Sequence, residues 1–240
     1  MKKDVNHMDS APQQMTNLSS EPKPHYHVVI ATPGKVMHSE YVNSLVETTK
    51  WLSSEGLDYK FLSKQSSFVP SARELTAIDE YKNNWETREI GSGKFTYDKI
   101  IWIDSDIEWD VEDFVRLYQS DEDVISGLYQ TSPDGTVAVS FFDESGRPKM
   151  VNEIDFFMNE EVQEVFGVGF GFVAMKQGVF ENCDRPWFRI RGVKWDGLDF
   201  ECNVGEDYSW CMNAREKGYK IMLDPTIKIY HHKETRYAIR

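Results

Sequence analysis

Long hydrophobic runs are missing from this 240-residue chain. Its apolar stretches stop at four or five residues, as in Val28-Val29-Ile30-Ala31, far short of the roughly 20 that span a membrane. The N-terminus carries no apolar segment of secretory type, so the expectation is a cytoplasmic protein with no membrane span. Cysteine is scarce. Cys183, Cys202 and Cys211 have no close-pair spacing, which excludes a disulfide scaffold or a zinc knuckle and suits a reducing compartment. Positive charge is in deficit. The 27 Lys and Arg against 40 Asp and Glu leave a net charge of -13, which argues against coating a polyanion. Net charge does not describe distribution, so a local basic groove stays open. No Gly-x-x-x-x-Gly-Lys loop occurs, which disfavours a phosphate-loop enzyme, and there is no internal repeat.

Aromatic residues are plentiful. The 7 Trp, 11 Tyr and 14 Phe supply ample apolar area for a core and exclude wholesale disorder. Residues 1–24 are rich in Ser, Gln, Asn, Pro and Lys without periodicity and read as a disordered tail. From Tyr26 onward the pattern is strand His27–Ala31, helix Ser39–Glu55, strand Asp58–Leu62 and helix Ser71–Tyr81. In the last helix, Glu74 stands three residues after Ser71, the reciprocal capping arrangement. Strand Lys99–Ile103, helix Asp110–Gln119 and strand Val124–Tyr129 follow. Alternation of this kind marks an α/β sheet. After residue 130 the texture becomes short β-like runs with glycine, a helix at Lys176–Asn182 and a helix at Asp207–Lys217. Two strands, Tyr219–Leu223 and Ile227–Tyr230, are expected around an Asp224-Pro225 turn. The reading is one α/β domain over 25–240, with a nucleotide-binding half (25–130) continuous with a mixed-sheet half (131–240).

Asp104-Ser105-Asp106 is the sharpest local feature. An apolar strand delivers two carboxylates at i and i+2, on one side if extended geometry persists. They sit at the carboxyl end of the strand, where open α/β sheets bind ligands. Two carboxylates together repel, and a hard divalent cation, Mn2+ or Mg2+, relieves that repulsion. The same spacing in Asp121-Glu122-Asp123 has no apolar run before it and reads as a solvated turn. Glu206 and Asp207 open a helix, where acids cap orphan N–H groups and complement the dipole. Facing a cleft, one of them could equally take a proton from a hydroxyl. His231 and His232 end the last strand and face opposite sides, so one of them can enter a given site. Gly167, Gly169 and Gly171 alternate, which strips a strand face and admits either a ligand or tight packing. Trp187, Phe188, Trp195 and Phe200 suit a core better than an acceptor platform. Arg185, Arg189, Arg191 and Lys194 form a solvated loop or a phosphate-binding strip.

In this order the features resemble the GT-A-type, nucleotide-sugar-dependent glycosyltransferases, family-2-like, including bacteriophage-encoded members. The resemblance covers about residues 26–233. Ala31-Thr32-Pro33 resembles a first-strand loop that holds the nucleoside. Ser66 through Arg73-Glu74 resembles the exit of the second strand, with Glu74 in place of the usual Asn. Ile101 through Asp106 looks like the Asp-x-Asp metal motif. Gly205-Glu206-Asp207-Tyr208 through Gly218, then Asp224-Pro225 and His231, resembles the acceptor-side acidic motif and the terminal metal ligand, although His231-His232-Lys233 stands where His-x-Gly is common. The resemblance implies that Asp106 and His231 bind the metal and that Asp104 touches the ribose or a metal-bound water. It implies that Thr32, Pro33, Ser66 and Arg73 line the donor, and that Asp207, beside Glu206, is the base. Gly169, Gly171, Arg189 and Arg191 are placed on the acceptor side. The implied reaction moves a sugar from a nucleotide donor, a UDP-sugar, to a hydroxyl of a glycan, a protein or a hydroxymethylated base in phage DNA. A nucleotide-sugar binding module without catalysis, and a metal-dependent nucleotidyl or phosphoryl transferase, are the alternatives.

Overall fold

A computed structural model describes residues 22–82, 84–156 and 160–233; most of the segment read as a tail lies outside the described residues. The chain alternates at first: β1 (His25–Ala31), α1 (Ser39–Ser54), β2 (Tyr59–Leu62), α2 (Val69–Ile78), β3 (Thr96–Ile103), β4 (Ile107–Glu108), α3 (Val111–Gln119) and β5 (Val124–Leu128). Shorter elements follow: β6 (Thr136–Phe142), β7 (Pro148–Asn152), β8 (Gln163–Val165), β9 (Gly167–Val168), β10 (Phe172–Lys176), α4 (Val179–Asn182), β11 (Arg191–Val193), β12 (Cys202–Val204), α5 (Glu206–Glu216), β13 (Ile221–Lys228) and β14 (Tyr230–His231).

Seven strands form one mixed sheet in the order β2-β1-β3-β10-β5-β13-β8. β1 pairs parallel with β2 and β3, and β13 parallel with β5, while β10 runs antiparallel between β3 and β5. Strands from both sides of residue 130 therefore share one sheet. Both of its faces are covered, which is why β3 reads as an unbroken apolar run rather than an alternation. Ile100 and Trp102 enter one core cluster with Val29, Ala31, Val173 and Met175. Ile101 and Ile103 enter the other with Val28, Ile30 and Ala174. The side chains of Trp102, Phe170, Phe180, Phe188 and Trp210 meet edge to face or tilted, with centroids 5.0–5.8 Å apart. A smaller sheet, β7-β6-β9, and two two-stranded ribbons, β11-β12 and β14-β4, complete the architecture. All three cysteines are free, and among the described residues no helix is long and apolar enough to cross a membrane.

Three expected elements differ. The second helix starts at Val69-Pro70, not Ser71, because proline is favourable in a first helical turn; Glu74 is then free of the cap. The helix expected over Lys176–Asn182 is one turn, since Lys176 is still paired in β10 with Lys99. The two final strands are one, β13, running through Pro225. Its ladder with β5 is irregular between Leu223 and Lys228, so proline's missing N–H removes no regular rung.

Candidate active site

Loops at the carboxyl ends of β1, β2 and β3 converge. Thr32 N–H donates to Leu62 O (2.9 Å) and Gly34 N–H to Lys64 O (2.9 Å), tying the β1 exit to the β2 exit. His38 N–H donates to Ser105 O at 3.0 Å, tying it to the acidic loop. Gly34 has φ +141°, and a Cβ there would stand 3.2 Å from Ser105 Oγ, so glycine permits both the backbone and the approach.

Arg73 joins the two acidic motifs. It projects from α2 and is only 4% exposed. Its Nη1 lies 3.0 Å from Asp104 Oδ1, its Nη2 donates to Asp104 Oδ2 at 3.1 Å, and its Nε is 3.6 Å from Glu206 Oε1. Below it lie the faces of Phe170 and Phe188, at 5.4 and 5.9 Å. Burial works against the guanidinium's charge, but Asp104, Asp207 and Glu206 outweigh it and hold its pKa above the usual value. Burial also raises the pKa of Asp104, with Arg73 pulling the other way. Asp207, at the start of α5, is pushed up to about 6, first by burial and then by the neighbouring Glu206 charge. Its Oδ1 accepts the N–H of Tyr208 at 2.8 Å. Arg73, Asp104, Glu206 and Asp207, 134 positions apart at their extremes, thus form one charged group, with Arg73 buried and the three carboxylates half-buried.

Asp106 belongs to a neighbouring pair. Its Oδ2 is 3.1 Å from His231 Nε2, and His231 Nδ1 is 2.8 Å from the carbonyl of Gln130. That carbonyl accepts from Nδ1–H, so Nε2 donates to Asp106 while the ring is protonated and offers its lone pair to an ion once that proton leaves. Register explains the placement: β14 pairs antiparallel with β4, His231 opposite Ile107, and His232 N–H donates to Asp106 O at 2.8 Å. Burial raises the Asp106 pKa, yet its bond to His231 and the charges of His231 and Lys233 prevail and lower it. The bond to Asp106 raises His231. One carboxylate and one oriented imidazole fit a first-row divalent ion such as Mn2+, which would take its remaining ligands from phosphate oxygens and water. Asp104 has both its oxygens turned to Arg73, though Asp106 and His231 also act on its charge. His232 faces elsewhere, its Nε2 2.7 Å from Glu108 Oε2.

Other expected residues are placed differently. Pro33 is buried, and so is Thr32, whose Oγ1 lies 2.5 Å from Tyr41 OH; Ser66 is exposed. Gly169 and Gly171 lie not on a strand face but in the turn between β9 and β10, and the space beside them is not open to an acceptor, because the Tyr129 ring fills it. A Cβ would come within 2.3 Å of the Tyr129 hydroxyl at Gly169 and 2.6 Å at Gly171, and that hydroxyl accepts Gly171 N–H at 3.0 Å. The basic strip is largely spoken for. Arg185 is buried against Glu74 at 2.8 Å, and Arg191 meets Glu216 at 2.5 Å; Arg189 is half-buried and Lys194 exposed. Trp187 and Phe188 are core, as expected, but Phe200 is 59% exposed. Trp195 lines a cavity of about 460 Å3 with Met150, Asp143, Arg147, Gly205 and Tyr208, next to the start of α5. A second cavity, of about 780 Å3, opens beside Tyr129, Gln130 and His231. Asp121-Glu122-Asp123 lies in the loop between α3 and β5. Sequence reasoning did not single out Tyr129 or Gln130. The signal for Tyr129 was an aromatic residue ending a strand in a chain that also carries alternating glycines; the carbonyl of Gln130 left none.

No protein-family model matches this chain, and no curated protein shows significant similarity to it. Among solved structures it is similar to GalNAc-T7 with UDP, GalNAc and Mn2+, at TM-score 0.50 and 14% identity, covering 88% of this chain and 44% of that one. A197 from STIV gives TM-score 0.48 and 16% identity over 90% of this chain and 98% of that one. The catalytic domain of Drosophila beta1,4galactosyltransferase 7 in complex with xylobiose gives 0.43 and 12% over 84% and 65%. The chain spans less than half of the GalNAc-T7 chain. At 14% identity the likeness to GalNAc-T7 is one of fold, and together with the mixed sheet it gives this chain a GT-A-like α/β fold.

Proposed function

We propose that this protein is a divalent-metal-dependent glycosyltransferase that moves a sugar from a nucleotide donor, a UDP-sugar, to a glycan or protein hydroxyl. The observation that carries this reading is Arg73, which joins Asp104 at the end of β3 to Glu206 at the start of α5. A donor-side and an acceptor-side carboxylate are thereby held around one buried cation, beside the Asp106–His231 pair. GalNAc-T7, whose structure holds UDP, GalNAc and Mn2+, supports the same class of donor and ion.

Asp106 and His231 would hold the ion, Mn2+ or Mg2+, which when bound would neutralise diphosphate oxygens and so make the nucleotide a better leaving group. Arg73 orients Asp104 toward the donor through one hydrogen bond from Nη2 to Oδ2 and an ion-pair contact of Nη1 with Oδ1. Asp207 takes the acceptor proton on a carboxylate oxygen. Its pKa of about 6 leaves it ionised at neutral pH yet more basic than an ordinary aspartate, the compromise a general base requires. The cavity at Trp195 receives the acceptor, with the indole as an apolar face and Asp143 and Arg147 as polar partners.

The test is release of UDP from UDP-glucose and related donors, with Mn2+ and with excess chelator. UDP release that needs both the ion and an acceptor is expected. Release of UMP points instead to a phosphoryl or nucleotidyl transferase, and donor binding without turnover points to a binding module.

A further inference from the structure

We propose that His38, Glu40 and His232 form a second metal site, for a zinc-class ion, which fastens the C-terminal strand β14 to the entrance of α1. Each residue offers one ligand atom, and these atoms all lie within 4.8 Å of one another. At metal–ligand distances of about 2.0–2.2 Å a tetrahedral ion sets its ligand atoms about 3.3–3.6 Å apart, so closure from 4.8 Å needs a shift of about 1–1.5 Å. All three side chains are half-buried, close enough to solvent for an ion to enter and to move that far. The two imidazole rings lie 5.9 Å apart and are tilted by 41°. Glu108 adds a second carboxylate at 2.7 Å from His232 Nε2, the kind of contact that orients a metal-bound histidine.

The donor set names the ion class. Two imidazoles with carboxylate oxygens suit Zn2+ and its neighbours, whereas Mg2+ and Ca2+ prefer oxygen alone. The site is separate from the Asp106–His231 pair because consecutive strand residues face opposite ways, and each histidine already has its own carboxylate, Asp106 or Glu108. The backbone shows what such an ion would hold together. His38 N–H is bound to Ser105 O, and His232 N–H to Asp106 O, so the first loop, the acidic loop and β14 meet at this point. The role is structural, fixing the strand that carries His231. It does not depend on the reaction proposed above.

The test is zinc binding by equilibrium dialysis at pH 7.5, with bound metal counted directly. The background is Asp106→Asn, which removes the anionic ligand of the neighbouring pair and keeps its shape. That protein is expected to bind one Zn2+, to show the visible bands of tetrahedral Co2+ when cobalt replaces zinc, and to melt at a higher temperature with zinc than without. Adding His38→Ala should abolish all three effects, and adding Glu40→Gln should weaken binding about 10-fold or more. Glu40→Gln changes one half-exposed helix-start residue, so it stays informative if the metal-free melt shows His38→Ala to be misfolded. Zinc binding unchanged by both substitutions, or no zinc bound in the Asp106→Asn background, overturns the proposal.

Discussion

Asp207 and Asp106 have opposite electrostatic environments, and pH separates them. Asp207 has a folded pKa of about 6 against an ordinary 3.8. Its charge is therefore a cost to the fold above about pH 6, and the cost disappears as pH falls toward 4. Asp207→Asn removes the charge and keeps the shape. It should stabilise the protein at pH 8 by about 1–3 kcal/mol and leave stability at pH 4 little changed, as denaturant titrations at the two pH values would show. The same substitution should lower kcat by about 10²-fold or more with donor affinity little altered. Asp106 behaves the other way. Two carboxylates at i and i+2 suggest repulsion, yet each has its own cation: Arg73 for Asp104, His231 for Asp106. His231 is raised above 6.5, so its stabilisation is full below about 6.5 and lost as pH rises through the folded pKa. Asp106 is lowered below 3.8, so its stabilisation is present above about 4 and lost as pH falls through the folded value. The pair contributes most between about pH 4 and 6.5. Asp106→Ala should abolish turnover and lower the melting temperature more at pH 5.5 than at pH 8.5. Asp121→Ala should change neither, and an equal loss at both pH values for Asp106→Ala would dissolve the pair.

Elements were legible where one local signal decided them. The apolar runs of β1 and β3, and the helical spacing of Tyr41, Leu45 and Leu52 closed by Gly56, needed no tertiary information. The start of α2 did not yield in this way, because Ser71 and Glu74 form a plausible capping box and only the fold shows that Glu74 has other work. Its carboxylate, 2% exposed, accepts from Arg185 Nη2 at 2.8 Å and from the backbone N–H of Phe188 at 2.9 Å, and Arg185 lies over the Trp187 ring at 4.6 Å. Glu74 thus locks α2 to the segment that carries Trp187 and Phe188. Removing one partner of a buried, hydrogen-bonded ion pair costs about 3–5 kcal/mol. Glu74→Ala should lose about that much in urea unfolding, with Glu74→Gln losing less because it still accepts from Phe188. A loss under about 1 kcal/mol for Glu74→Ala would mean that the pair is not buried in solution. The site was legible in its residue types but not in its pairings. Asp104, Asp106, Asp207 and His231 announce themselves by position, whereas the contact from Arg73 to Glu206 spans 133 positions and leaves no periodic trace. His38 and Glu40 acquire meaning only when β14 brings His232 beside them.

At the scale of the whole molecule the question is what an acidic protein can accept as a partner. Nine acids between Asp104 and Asp123, against Arg116 alone, make the acidic loop and its surroundings repellent to a phosphate backbone. The segment that could have offset this is compromised, since Arg185 and Arg191 already face Glu74 and Glu216. DNA binding at physiological salt needs several free cations to release counterions, and this face has few to give. The cavity at Trp195 offers the opposite chemistry: an indole face with a few polar groups beside the start of α5, suited to one sugar ring more than to a duplex. Trp195→Ala should therefore raise KM for a sugar acceptor by about 10-fold and leave kcat nearly unchanged, since binding shared by ground state and transition state moves KM alone. Arg189→Ala with Arg191→Ala should leave transfer to that acceptor intact, and hydroxymethylated duplex DNA should neither bind nor accept sugar at about 0.15 M salt. Transfer to such DNA that weakens steeply with salt, and whose salt slope flattens in the double substitution, would replace the sugar with a nucleic acid as the acceptor.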